Sequence, residues 1–275
     1  MKLKQLGAIF SGALLTASLV ACGGAQNANS SSSTSTDSSD AASKTFVIAS
    51  DNGFAPFEIP QADGSITGID MEIFDAIAKD QGFNYEMQNV GFKMAVSSLE
   101  SGQVDGVIAG MSITPERREK YDFSDPYYDS TVCCAVKADS DVKSLDDLKG
   151  KNVALKDGTL SMDWANNIKD QYGFQASVFD DSPTIYTEVG GNSVACFEDT
   201  PVMAYAIKQY ADTNGKEGIN FKIIDEVKAD SPYASQYGFA VRKGENSELL
   251  KMFNEGLKNI KANGTYDKIV DSYLK

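Results

Sequence analysis

No histidine occurs anywhere in the 275 residues. Serine or cysteine nucleophiles activated by imidazole, and metal sites built on it, are excluded at the outset. Any acid-base chemistry falls to carboxylates, Lys, Tyr or Cys. The cysteines are poorly arranged for it. Cys133 and Cys134 are neighbours in the strand-like run 131–136, so their side chains point to opposite faces, and with Cys196 they make an odd set. Buried free thiols acting as small apolar side chains are expected, with a bridge from Cys196 to 133 or 134 as the alternative. Two charged residues stand in more promising surroundings. Arg117 follows Thr114-Pro115, which reads as the N-cap and first position of a helix, so free backbone amides and a guanidinium converge there. Asp199 closes the apolar run 194–197 and precedes Thr200-Pro201, a pattern that by itself reads as a helix cap.

The elements that must position these residues are legible in outline. The chain is 42% hydrophobic and 23% charged, near the average for globular proteins. Short apolar runs at 45–49, 104–109, 152–155 and 194–197 read as buried strands. Amphipathic stretches lie between them. Ile69, Ile73, Phe74 and Ile77 recur at helical spacing, with Asp70, Glu72, Asp75, Lys79 and Asp80 assigned to the opposite, solvated face. Leu249, Phe253, Leu257 and Ile260 repeat that spacing near the end. The segment 57–68, with Asp63-Gly64 at its middle, reads as a hairpin. Ser144 to Asp147 looks like a capped short helix closed by Gly150. The alternation predicts α/β architecture around mostly parallel sheets, in two similar halves at about 45–126 and 132–233. The residues from Tyr237 onward return to the first half, so two crossings join lobes able to hinge.

Twenty-five Lys+Arg stand against 39 Asp+Glu, a net charge of −14. That sign repels phosphate backbones, so nucleic acid is not an expected partner. Lys2 and Lys4 precede an apolar run from Leu6 to Val20, the pattern of a secretory leader too short to span a bilayer. The run ends in Leu19-Val20-Ala21-Cys22-Gly23, which resembles the bacterial lipobox. Cleavage after Ala21 would leave Cys22 lipidated on the outer face of the cell membrane and take the net charge to −16. Residues 23–43 hold eight Ser and two Thr with no aromatic or large aliphatic side chain, so they cannot bury enough surface to fold. They read as a tether of roughly 25 Å end-to-end.

Four strings then carry a family likeness: Asp51-Asn-Gly-Phe-Ala-Pro-Phe-Glu58, Asp105-Gly-Val-Ile-Ala-Gly-Met-Ser-Ile-Thr-Pro-Glu-Arg117, Phe123-Ser-Asp-Pro-Tyr-Tyr128 and Asn263-Gly-Thr-Tyr-Asp-Lys268. In this order, from Lys44 to Lys275, the chain resembles the polar amino acid-binding lipoproteins of ABC importers, extracellular solute-binding protein family 3. The resemblance implies a periplasmic-binding-protein type II fold, two α/β lobes joined by a two-strand hinge. Lobe 1 would comprise 44–126 and 239–275, lobe 2 132–233, and the hinge 127–131 and 234–238.

A zwitterion entering a closed cleft needs a partner for each charge. By the likeness Arg117 clamps the α-carboxylate, helped by groups at Gly110, Ser112 and Thr114 and, across the cleft, by Thr159 at the start of a helix. Leu160 departs from the small residue usual after that Thr and crowds the pocket. Asp199 meets the α-ammonium. Phe54 and Phe92 match positions that sandwich the ligand side chain in relatives similar to the glutamine-binding protein, and Asp51, Lys156 and Glu198 match its contacts to the side-chain amide. Glu198 replaces a neutral ring and favours a donor-rich side chain; alternatively, Lys156 and Glu198 pair across the opening.

The expected function is therefore capture of an extracellular polar L-amino acid, glutamine-like favoured, by a monomer that delivers it to ABC permease transmembrane subunits and touches the membrane through its lipid anchor only. No cofactor, metal or catalysis is expected. The alternatives are a dehydratase-like enzyme using the same cleft, with Glu198 as its acid or base, and a sensory module acting through a separate partner. Unperturbed Arg and Asp keep their charges between about pH 5 and 8, which predicts binding throughout that range.

Overall fold

The computed structural model describes residues 44–212 and 220–275; the expected leader at 1–21, Cys22 and the tether lie outside the described residues. Strand β1 (Thr45–Ser50) buries Phe46, Ile48 and Ala49. The hairpin follows as β2 (Ile59–Pro60) and β3 (Ile66–Thr67), and its turn places Gly64 at φ +85°, a conformation that costs glycine nothing. Helix α1 (Ile69–Gln81) turns Ile69, Ile73, Phe74 and Ile77 inward. Asp70 corrects the assignment to the solvated face, for it is fully buried. It sits in the first turn, and its Oδ2 accepts from the Gly110 N–H (2.7 Å) and the Tyr127 hydroxyl (2.8 Å). Apolar periodicity does not report such partners, because they come from elsewhere in the chain.

The first lobe continues with β4 (Asn84–Asn89), α2 (Phe92–Glu100), β5 (Gly106–Val107), α3 (Pro115–Lys120) and β6 (Tyr121–Phe123). Only two residues of the run 104–109 pair as a strand. The chain beyond turns into the cleft through Gly110 at φ +54°, where a Cβ would come within 2.5 Å of Phe54 Cε1. After β7 (Tyr128–Ser130) come β8 (Val132–Lys137), a 3-10 turn over Leu145–Leu148 with the Ser144/Asp147 capping box, β9 (Asn152–Lys156), α4 (Leu160–Tyr172), β10 (Gln175–Phe179), α5 (Ser182–Val189), β11 (Ala195–Asp199), α6 (Thr200–Asp212) and β12 (Phe221–Glu226). The chain returns through β13 (Ser235–Tyr237) to β14 (Ala240–Arg242), α7 (Ser247–Ala262) and α8 (Thr265–Leu274).

Two five-stranded sheets result, ordered β4-β1-β5-β14-β6 and β10-β9-β11-β8-β12. Three neighbouring strands in each are parallel, whereas β14 pairs antiparallel with β5 and β6, and β8 antiparallel with β11 and β12. The sheets are thus mixed rather than mostly parallel. The antiparallel members β8 and β14 follow the crossing strands directly, without the crossover helix a parallel connection needs. The crossing strands themselves, β7 and β13, pair antiparallel.

Each sheet is covered on both faces. In the first lobe Phe74, Ile77, Phe253 and Leu257 pack on one side and Phe92, Ala95 and Leu99 on the other. In the second, Cys134 lies with Trp164 and Phe197, while Cys133 and Cys196 lie with Ile185 and Met203. Cys133, Cys134 and Cys196 are buried free thiols, with Cys133 and Cys134 on opposite faces as strand alternation requires.

Candidate functional site

The parallel strands of both sheets end at one cleft, and the residues at those ends and at the following helix starts line its cavity. Thr114 caps α3 by accepting from the Arg117 N–H at 3.1 Å, which sets the arginine one turn into the helix. The half-buried guanidinium donates to Ser112 O and, across the cleft, to Gly158 O, both at 2.8 Å. It lies 5.6 Å from the Phe92 ring centroid. Further N–H groups of the fork remain for an anion. Desolvation lowers the Arg117 pKa, but a guanidinium starts so high that it stays charged. Opposite it, Thr159 caps α4 by accepting from the Met162 N–H, so the amide-rich end of a thirteen-residue helix faces the same space.

The second lobe's side of the cavity is charge-dense. Asp199 Oδ2 accepts from the Tyr237 hydroxyl at 2.6 Å, while its Oδ1 is buried with no hydrogen-bond partner. Burial, reinforced by the neighbouring Glu198 charge, pushes the Asp199 carboxyl up to about 7. Lys156 Nζ pairs with Asp51 Oδ2 and sits 4.2 Å over the Phe54 ring. Both members of that pair are fully buried, at 1% and 0% exposure, although one comes from each lobe.

Phe54, Phe92, Gly110, Ser112, Arg117, Lys156, Thr159 and Asp199 all line one cavity, together with Ala109 and Leu160. Three expected members do not. Asp51 stands behind Lys156 as its counter-ion. Thr114 caps its helix and lines a neighbouring groove of about 290 Å³ at the cleft margin. Glu198 is turned away: adjacent strand residues face opposite sides, so with Asp199 in the cleft Glu198 points toward α5. There its Oε2 accepts from the Tyr186 hydroxyl at 3.2 Å, and its Oε1 from the Asp199 N–H at 3.0 Å. Burial raises its pKa. Pairing of Lys156 with Glu198 is therefore corrected to pairing with Asp51. Sequence reasoning missed the Gly158 carbonyl, the Tyr237 hydroxyl and the cavity-lining Ala109; the Asp105–Arg117 string already contained the last of these.

The lobes are closed on one another. Besides the Arg117 and Lys156 contacts, Lys93 on α2 meets Asp157 of the second lobe at 2.5 Å on the rim. The free volume at the centre of the cavity is about 10 Å³, the limit for a single water.

Two α/β lobes, linked by paired strands and closing over a half-buried guanidinium from one and a half-satisfied carboxylate from the other, define a periplasmic-binding-protein type II fold. The chain belongs to the bacterial extracellular solute-binding proteins, family 3, whose description matches residues 46–275. The arginine-binding extracellular protein ArtP of Bacillus subtilis (strain 168) is 31% identical over 259 residues, covering 94% of this chain and 92% of that one. An ancestral arginine-binding protein bound to arginine is 35% identical with a TM-score of 0.74, over 84% of this chain and 98% of that one. The second substrate-binding domain of Lactococcus lactis GlnP, in open conformation, is 44% identical but superposes with a TM-score of only 0.57, over 84% of this chain and 95% of that one. The more similar sequence gives the poorer superposition, as expected when rigid lobes are set at a different angle. Among the described residues, no helix is long and apolar enough to cross a membrane.

Proposed function

We propose that this chain captures a polar L-amino acid outside the cell and delivers it to the transmembrane subunits of an ABC importer. The observation that carries the reading is the pair formed by Arg117 and the orphaned Oδ1 of Asp199, on opposite lobes and facing one enclosed cavity. A cation with neighbouring donors suits an α-carboxylate, and a buried acceptor without a donor suits an α-ammonium. In this reading Gly110, Ser112 and Thr159 complete the carboxylate end, Phe54 and Phe92 shape the side-chain end, and β7 with β13 serves as the hinge between lobe 1 (44–126 and 239–275) and lobe 2 (132–233). The folded part works as a monomer held to the outer face of the cell membrane through a lipidated Cys22.

A glutamine-like ligand is favoured. Its side-chain carbonyl takes a hydrogen bond from Lys156, and its neutral amide brings no further charge to a place where Lys156 is already matched by Asp51. Arginine is the second reading, because relatives are named for it. It would bring a second cation to the place above Phe54 that Lys156 occupies, and so requires that lysine to withdraw. Calorimetry on refolded protein freed of bound ligand tests both. Glutamine is expected to bind more tightly than arginine; arginine binding more tightly inverts the preference. If none of the common L-amino acids binds more tightly than about 100 µM, amino-acid capture itself is wrong.

A further inference from the structure

Behind the cavity, in the first lobe, lie two carboxylates that the clamp does not use. Glu58 and Asp70 are both at 0% exposure, and their carboxyl groups stand close enough that each acts on the other's ionisation. One oxygen of each, Glu58 Oε2 and Asp70 Oδ1, has no N–H or O–H donor aimed at it. Ionised carboxylates are acceptors only, so a hydrogen bond between two of them requires a proton on one. The other oxygens are engaged. Asp70 Oδ2 takes the Gly110 N–H and the Tyr127 hydroxyl, and Glu58 Oε1 lies 3.0 Å from Ser50 Oγ, whose hydroxyl also lies 2.5 Å from Ile108 O. The titratable and charged groups facing the pair are Asp51 after β1, Tyr127 before β7, and Lys156 at the end of β9. Lys156 is already matched by Asp51. One cation therefore faces three carboxylates in a site closed to water, and ionising all three leaves uncompensated buried charge.

We propose that Glu58 and Asp70 hold one proton between Oε2 and Oδ1, and that this neutralised clasp positions the binding site. Through Ser50 it grips the end of β1, beside Asp51; through the Gly110 N–H it grips the turn leading to Ser112 and Arg117. Glu58 is the proton's main holder. Burial, then the charges of Asp70 and Asp51, push its carboxyl well above the usual range. Asp70, whose rise on burial is opposed first by the Glu58 carboxyl and then by donors from Gly110 and Tyr127, reaches only about 6. Because the folded chain holds this proton above the pH at which an unfolded Glu releases it, the clasp stabilises the fold at lower pH and is lost as pH rises through the folded Glu58 pKa.

Infrared spectroscopy of the ligand-free folded protein at about pH 8, where exposed carboxyls are ionised, tests this. The expected result is a protonated-carboxyl C=O band that shifts when glutamate side chains are 13C-labelled, disappears in Glu58→Gln, and persists in both Glu198→Gln and Asp199→Asn. Gln supplies an N–H to Asp70 in place of the O–H, so Glu58→Gln should also flatten the alkaline fall of the thermal midpoint. Absence of the band in the wild-type protein, its survival in Glu58→Gln, or an alkaline fall as steep as wild type in that variant overturns the proposal. Should Glu58→Gln not fold, the labelled wild-type band decides together with the Glu198→Gln spectrum: a band that shifts with label and persists there supports the clasp, and any other result overturns it.

Discussion

The two ends of the cleft solve opposite problems with different materials. At the Arg117 end the polar groups are backbone amides, two capping threonines and a guanidinium whose charge no ordinary pH alters. At the Asp199 end they are Lys156 and Asp199, with Asp51 and Glu198 packed behind them, all at 3% exposure or less, and two of the carboxyls are lifted by burial. The first is a set of donors suited to any α-carboxylate. The second is a balance of buried charges, in which changing one group alters the free energy of the others. Substitutions at the two ends should therefore differ in kind as well as in size.

The largest effect is expected at Lys156. Lys156→Met keeps most of the side-chain volume but strands Asp51 as an unpaired buried carboxylate, which costs about 3–5 kcal/mol of folding stability. Urea unfolding measures it, and adding Asp51→Asn should recover most of the loss, since the amide oxygen can still accept from the Asn52 N–H now bonded to Asp51. Recovery of nothing would mean that Lys156 acts through packing alone. Removing this cation from above Phe54 should also raise arginine affinity relative to glutamine by at least about tenfold.

Arg117→Ala comes next, on binding rather than folding. It should weaken the amino-acid ligand by about 2–5 kcal/mol, the usual loss for one partner of a buried charge pair. Because the guanidinium does not titrate, the residual binding should keep the wild-type pH profile. Wild-type affinity in this variant places the carboxylate elsewhere.

Asp199→Asn separates the two ends most clearly, because its effects have opposite signs. A free Asp199 with a pKa of about 7 in the folded chain binds a proton that the unfolded chain releases near pH 4. Its burden on stability therefore grows as pH rises toward and through about 7. At about pH 8, Asp199→Asn should stabilise the ligand-free protein by on the order of 1–3 kcal/mol while losing most of its affinity. The ligand ammonium requires the carboxylate, so wild-type affinity should fall as pH drops below about 7, by up to about tenfold per unit, and this slope should vanish in the variant. The raised pKa thus replaces the expectation, drawn from unperturbed side chains, of binding undiminished down to pH 5.

What was legible in the sequence divides along the same line. Local order could be read: the spacing of Ile69, Ile73, Phe74 and Ile77 marked a helix, Asp63-Gly64 marked a turn with positive φ, and Thr114-Pro115 marked the cap that aims Arg117. The family likeness brought most of the cavity residues onto one list, part of them from the four strings and the rest from positions matched outside them. The pairings could not be read, because each joins segments far apart in the chain. Lys156 meets Asp51 across the cleft, Asp70 is held by donors from Gly110 and Tyr127, and Glu198 is turned from the cleft by the alternation that places Asp199 in it. Charge alone suggested Lys156 with Glu198 and an exposed Asp70; register and lobe closure decide otherwise.

The smallest expected effect lies on the rim, between the two ends. Lys93 and Asp157 meet at 2.5 Å across the mouth, yet Lys93 keeps 61% of its side chain in water and Asp157 27%. Solvent screens such a pair and its flexible lysine loses entropy in forming it. Because one partner stands on each lobe, what little it contributes goes to the closed arrangement alone. Lys93→Ala should therefore leave folding stability unchanged and weaken ligand binding no more than about fivefold, through faster release rather than slower capture. Raising salt to about 1 M, where the screening length falls to about 3 Å, should remove the difference between variant and wild type. A Lys93→Ala defect that persists at high salt would show that the lysine stem, packed at the rim, holds the lobes together, and that the charge contributes nothing to closure.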